Sequence, residues 1–97
     1  MALDAEPLAI VHWLTLYLRD HPRAADTADG IATWWLAEHS PINEAHLTAA
    51  LAWMQINGLV ERIGAVDGRV RYHRAAGLPD LELALQSALT NDGVSGQ

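Results

Sequence analysis

The order of segments within Thr27–Arg74 constrains the fold of this chain more than any other feature. An amphipathic stretch ends at Asn57-Gly58, and two short runs of strand-forming residues, 59–63 and 69–74, flank the turn sequence Val66-Asp67-Gly68. Gly is favoured just past a helix end because it tolerates left-handed backbone angles, and Asp-Gly pairs favour turns. The order therefore predicts helices followed by a two-stranded ribbon.

Side chains that accept hydrogen bonds from free backbone N–H groups mark where helices begin. A helix tends to end before Pro, since the preceding residue avoids helical angles, so Pro22 and Pro41 are expected to end the first two helices. Ile31 and Trp35 lie four apart in the second helix and are expected to face the core together. The predicted N-caps, in chain order, are Asp4, Thr27, either Ser40 or Asn43, and Asp80.

Residues 8–75 resemble the winged helix-turn-helix superfamily, in particular its bacterial regulator-like domains. The most specific element is the run Leu51, Met54 and Gly58-Leu59-Val60, which is similar to the end of a recognition helix leading into the first wing strand. The resemblance implies a mainly helical fold with three core helices, a two- or three-stranded wing and an extra C-terminal helix. We expect a single domain over residues 1–90, followed by a mobile tail over residues 91–97.

The same resemblance implies a DNA-binding protein of the small transcriptional-regulator type. In that superfamily the third helix faces a DNA groove and the wing contacts the backbone. The DNA contacts would therefore come from His46, Thr48, Ala49, Ala52 and Gln55 of the third helix, and from Arg69, Arg71 and His73 of the wing.

Charge is unevenly distributed along this acidic chain, whose net charge is −6. Four of the six Arg lie between Leu59 and Ala76 against two carboxylates, whereas the rest of the chain holds two Arg against ten carboxylates. An acidic body repels phosphate, but a basic ribbon can still contact it. The third helix has no Lys or Arg, and only Gln55 belongs to the residue types that favour base readout. We therefore expect weakly specific, wing-mediated DNA contact.

A protein–protein interaction module on the same scaffold, without DNA binding, is the alternative interpretation. Trp34 should point about 100° away from Trp35 and be exposed. Trp34 and Trp53 are candidate interface anchors, although in a chain without Phe they also suit the core. Leu83 lies off the apolar stripe of the last helix, which predicts a homodimer through that helix.

Several classes of function are disfavoured by the composition. Without Cys there is no disulfide framework and no thiolate zinc site. The five His form no recognisable metal or catalytic spacing, so we expect no catalytic residues, no metal, no cofactor and no enzyme activity. No apolar run approaches the roughly 20 residues that span a bilayer, and the N-terminus lacks the features of a signal peptide. The expected location is the cytoplasm, without membrane association.

Overall fold

The fold is mainly helical with a small three-stranded antiparallel sheet. The computed structural model describes residues 3–64 and 67–94. Its elements are α1 (Ala5–Asp20), β1 (Ala25–Asp26), α2 (Ala28–Gly30), a π-helical turn (Ile31–Trp35), a 3₁₀ turn (Ala37–His39), α3 (Glu44–Ile56), β2 (Val60–Gly64), β3 (Val70–Arg74) and α4 (Leu81–Val94). Within the described ranges, no helix is both long enough and apolar enough to cross a membrane.

Side-chain caps fix the starts of three helices. The side chains of Thr27, Asn43 and Asp80 each accept hydrogen bonds, at 2.8–3.2 Å, from backbone N–H groups two or three residues further on. Asn43 rather than Ser40 therefore caps α3. Asp4 occupies the N-cap position of α1, but its side chain makes no capping bond.

The second helical segment departs from a regular α-helix. The backbone N–H of Leu36 donates to the carbonyl of Ile31 at 3.0 Å, five residues earlier, which is the hydrogen-bond pattern of a π-turn. The extra residue in this turn brings Leu36 onto the face of Ile31, and both side chains are fully buried. Trp35 packs against the core but is only half-buried, so the prediction that it shares the core with Ile31 is only partly met.

One hydrophobic core joins the helices to the first wing strand. Leu51, Met54, Leu59 and Ile31 belong to a single buried cluster. Trp53 belongs to the same cluster with only 7% of its surface exposed, so its assignment to a protein interface is wrong. The reason is that α3 packs against both α1 and β2, which buries a wider stripe of the helix than its apolar spacing alone indicates.

The sheet has the strand order β1-β3-β2, and both pairings are antiparallel. The extended residues before Thr27 thus pair with the ribbon, making it three-stranded. Gly68 adopts a left-handed φ of 81°, and the Asp67 carboxylate accepts a 3.0 Å hydrogen bond from the backbone N–H of Arg69. These features confirm the turn at Asp67-Gly68, while Val66 lies outside the described residues.

Helix α4 lies against α1. Its buried side is formed by Leu81, Leu85 and Ala88, and Leu83 is 59% exposed. The helix continues to Val94, so its last four residues fall within the segment predicted as a tail, and the rest of that segment, residues 95–97, lies outside the described residues.

Candidate functional site

The outer surface of α3 is exposed but uncharged over most of its length. Thr48, Ala52 and Gln55 are exposed on this helix, whereas Ala49 is half-buried. His46 is oriented toward α1, because its Nδ1 lies 2.8 Å from a carboxylate oxygen of Glu6. The predicted third-helix residues therefore do not form one polar surface. Three of them remain available to a partner, and they are small or uncharged.

The wing places two of its basic side chains, those of His73 and Arg71, beside carboxylates. Cross-strand neighbours share a face of a sheet, so His73 lies beside Glu61, with 3.5 Å between imidazole Nε2 and carboxylate Oε1. Arg71 lies 3.8 Å from Asp67, measured from Nη2 to Oδ2. Arg69 is exposed. Of the three predicted wing residues, two thus have an acidic neighbour that competes with phosphate.

Trp34 is 72% exposed, as predicted, and it lines a groove between α1 and the second helical segment. The groove has a volume of about 450 Å³. Leu16, Ala37 and the carboxylates of Asp20 and Glu38 form part of its wall. We call this site the aromatic groove because its other lining residues are the aromatic and imidazole side chains of Trp13, Tyr17, His21, Trp34, Trp35 and His39.

Ring stacking holds the walls of the aromatic groove together. Trp13 and His39 stack with ring centroids 3.7 Å apart and an angle of 3° between their planes. Tyr17 stacks on Trp35 at 4.8 Å and also contacts His21 at 4.4 Å. These contacts join α1 to the π-turn and the 3₁₀ turn. Since stacking restricts ring orientation, the groove is largely formed before any partner binds.

One signal for this groove is present in the sequence. Trp13, Tyr17 and His21 are spaced by four residues, and residues four apart lie on one face of a helix. The other wall depends on the π-turn, from which Trp34 and Trp35 both line the groove.

The aromatic groove is acidic. Neither Lys nor Arg is found among its lining residues, while Asp20 and Glu38 contribute carboxylates. Arg19 donates hydrogen bonds to Glu82 and Asp20. These bonds raise the pKa of Arg19 above its ordinary value, and the bond to Glu82 has the larger effect. The Arg19 guanidinium lies 3.2 Å from Asp20 and offsets part of its charge. Glu38 is the other exposed carboxylate of the groove.

A second cavity of about 300 Å³ adjoins the aromatic groove. Trp13 and His39 line both, so their stack is the wall at which the two cavities meet. The N-terminal half of α1 forms one side of this second cavity, where Glu6 and His46 are paired. In the part of the chain that the structure describes, no three His, Asp or Glu side chains come close enough together to hold a metal ion.

No known protein family, curated protein sequence or solved structure matches this chain.

Proposed function

We propose that this chain is a cytoplasmic protein-interaction module, not an enzyme, and that it binds its partner through the aromatic groove. The observation that carries the proposal is the 72% exposure of Trp34 beside a groove of about 450 Å³. A large exposed indole is costly to leave in water, and Trp is enriched among the residues that dominate binding at protein interfaces. The stacked rings around it supply a rigid apolar surface that loses little entropy on binding.

A winged-helix scaffold is part of the same proposal. The order α1, β1, α2, α3, β2, β3 follows the arrangement expected for that superfamily, with β1 pairing to the wing. The π-turn between α2 and α3 departs from the regular helix that the resemblance implies. We interpret the chain as a winged-helix-like domain whose second helix is modified to build the aromatic groove.

The charges favour a protein partner over DNA. A DNA-reading helix normally offers Arg, Lys, Asn or Gln to base edges, whereas the exposed surface of α3 offers Gln55 alone. Phosphate contact by the wing is opposed by Glu61 and Asp67, which lie beside His73 and Arg71. The net charge of −6 adds long-range repulsion.

DNA binding through the wing is the second candidate function. It is favoured by Arg62 and Arg69, which are exposed and for which no ion pair is found among the described residues. Two cations per protomer support weak, nonspecific phosphate contact, since the affinity of such contacts depends mainly on the number of phosphates neutralised. The exposed residues of α3 would still offer few side chains that distinguish one base from another.

Site-specific photo-crosslinking tests the proposed function. A photoreactive phenylalanine analogue is placed at position 34 in the full chain in cells, and the captured protein is then purified and its affinity measured in vitro. Ile56 is the control position, because it is an apolar residue with 83% exposure on a different element. We expect one dominant crosslink from position 34 but not from position 56.

Purified components make the test decisive. The captured protein should bind the wild-type chain and lose about tenfold or more in affinity for the Trp34→Ala variant, which corresponds to an interface hot spot. Equal crosslinking from positions 34 and 56, or equal affinity of wild type and variant, would reject the aromatic groove as the binding site.

A further inference from the structure

We infer that the aromatic groove and its adjoining cavity together bind an extended segment of a partner protein that carries Arg or Lys. This inference rests on the proposed function and names the chemistry of the partner. Three features carry it: the charge of both cavities, the exposed indole of Trp34, and the length of the surface along α1.

The charge of both cavities is complementary to a cation. Glu38 and Asp20 line the aromatic groove, Glu6 lines the adjoining cavity, and no Lys or Arg lines either one. Arg19 offsets Asp20, whereas His46 offsets Glu6 only when it is protonated. An acidic ligand would meet uncompensated carboxylates here, and a basic one would be attracted from a distance.

The rings of the aromatic groove suit a cationic side chain as well as an apolar one. A guanidinium or ammonium group is attracted to the face of an indole, and Trp is the best of the aromatic residues for this contact. Trp34 is exposed enough to offer a ring face to the ligand while Glu38 supplies the counter-charge. An Arg side chain satisfies both requirements, because its planar group stacks on rings and donates to carboxylates at the same time.

The shape of the surface favours an extended segment over a single residue. The two cavities meet at the Trp13–His39 stack and follow α1 from Glu6 to Asp20, a path of about 21 Å at 1.5 Å per residue. About seven residues of extended chain at 3.1 Å per residue span that length. Aromatic-lined grooves commonly bind extended Pro-rich segments, which lose little entropy on binding.

Three synthetic peptides of equal length test the inference with the full chain. Each is built of Pro and Ala, and two equivalent positions carry Arg in the first peptide, Gln in the second and Glu in the third. Binding is measured by fluorescence anisotropy and by the shift of the Trp34 indole N–H resonance. We expect the Arg peptide to bind about tenfold more tightly than the Gln peptide, and the Glu peptide to bind least.

Matched variants locate the binding. Trp34→Ala should lower the affinity for the Arg peptide about fivefold, because the cation–π contact is lost. Glu38→Gln should lower that affinity about threefold through loss of an exposed ion pair. Glu38→Arg should reverse the preference toward the Glu peptide. Ile56→Ala and Glu44→Gln, which alter an exposed apolar residue and an exposed carboxylate outside both cavities, should leave the affinity unchanged.

Three results would overturn the inference. Equal affinity for the Arg and Gln peptides would show that the partner does not need a cationic residue. The same conclusion would follow if the Glu38→Arg variant bound the Arg peptide as tightly as the wild type. If none of the peptides binds at millimolar concentration, the partner does not bind through an extended basic segment. This conclusion holds even if a partner is still crosslinked at position 34 in cells. The proposed function fails separately, by the crosslinking test at position 34.

Discussion

The indole of Trp13 and the imidazole of His39 lie face to face, with centroids 3.7 Å apart and planes 3° apart. Trp13 is on α1 and His39 ends the 3₁₀ turn, so this stack joins two segments that are separated by 26 positions in the chain. It lies at the junction of the aromatic groove and the adjoining cavity. The pair therefore sets the position of the turn against α1.

Removal of the His39 ring should destabilise the fold measurably. Stacked aromatic pairs contribute about 0.5–1.5 kcal/mol beyond the area they bury, so His39→Ala should lower the free energy of unfolding by about that amount. Urea denaturation monitored by Trp fluorescence measures it. His12→Ala is the control, since His12 is an exposed residue of α1 outside both cavities. Equal unfolding midpoints for the two variants would contradict a stabilising role for the stack.

Leu51→Ala should lower the free energy of unfolding by more than His39→Ala does, because Leu51 lies in the core. Leu51 is buried in the same cluster as Met54 and Leu59, and truncation of such a Leu leaves a cavity that costs about 2–5 kcal/mol. The Ile56→Ala control shortens an aliphatic side chain on the same helix at a position that is 83% exposed. Its effect should stay within about 0.5 kcal/mol. A Leu51→Ala variant as stable as the parent would contradict this description of the core.

Local signals in the sequence were sufficient for the starts of α2 and α4 and for the turns after α3 and in the wing. Thr27 and Asp80 cap the helices that they were expected to cap, and the left-handed glycines at Gly58 and Gly68 follow α3 and close the wing turn. These features depend on one residue and its immediate neighbours. For that reason they are readable without knowledge of the tertiary structure.

The aromatic groove was not readable in the same way, because it depends on contacts between distant segments. A helix with 3.6 residues per turn places Trp35 over Ile31, whereas the π-turn moves Leu36 there and leaves Trp35 to stack on Tyr17. The burial of Trp53 likewise depends on elements outside α3, which packs against both α1 and β2. Neither the extra residue in a turn nor the width of a buried stripe follows from the apolar spacing of one helix.

Gly30 leaves room for the side chain of its neighbour Asp26. A Cβ atom at position 30 would overlap the Asp26 carboxylate, which accepts a 2.7 Å hydrogen bond from the backbone N–H of Thr27. Gly30→Ala should gain up to about 1 kcal/mol in helix propensity and lose about 1.5–3 kcal/mol from that charged hydrogen bond. We therefore expect a net destabilisation of about 1 kcal/mol in urea denaturation.

A double-mutant cycle tests whether Asp26 is the cause of the destabilisation by Gly30→Ala. In an Asp26→Ala background the overlap is absent, so the same Gly30→Ala change should stabilise the protein by up to about 1 kcal/mol. Gly30→Ala effects of the same sign in both backgrounds would show that Asp26 is not the reason for the glycine.

Any DNA affinity should come from the wing. Arg69→Ala combined with Arg71→Ala removes two exposed or half-exposed cations and should reduce the slope of log affinity against log salt by about 1–2 units per protomer. Anisotropy titrations with a mixed-sequence duplex at several salt concentrations measure that slope. The control is Thr48→Ala with Gln55→Ala on α3, which should leave the slope unchanged. Loss of binding in the α3 variant alone would assign DNA contact to the helix instead.

Exposure of Leu83 predicts self-association through α4. The buried side of α4 is formed by Leu81, Leu85 and Ala88. Leu83 lies on another side of this helix, and 59% of its surface is exposed. An apolar patch repeated on two copies favours a two-fold dimer, in which the same surfaces meet. Sedimentation equilibrium at tens of micromolar should give the mass of two chains for the wild type and of one chain for Leu83→Glu, because the charge cannot be buried without a partner. Gln55→Glu adds the same charge at an exposed position of α3, on a different helix, and should remain dimeric. A wild-type chain with the mass of one copy over this concentration range would rule out the dimer.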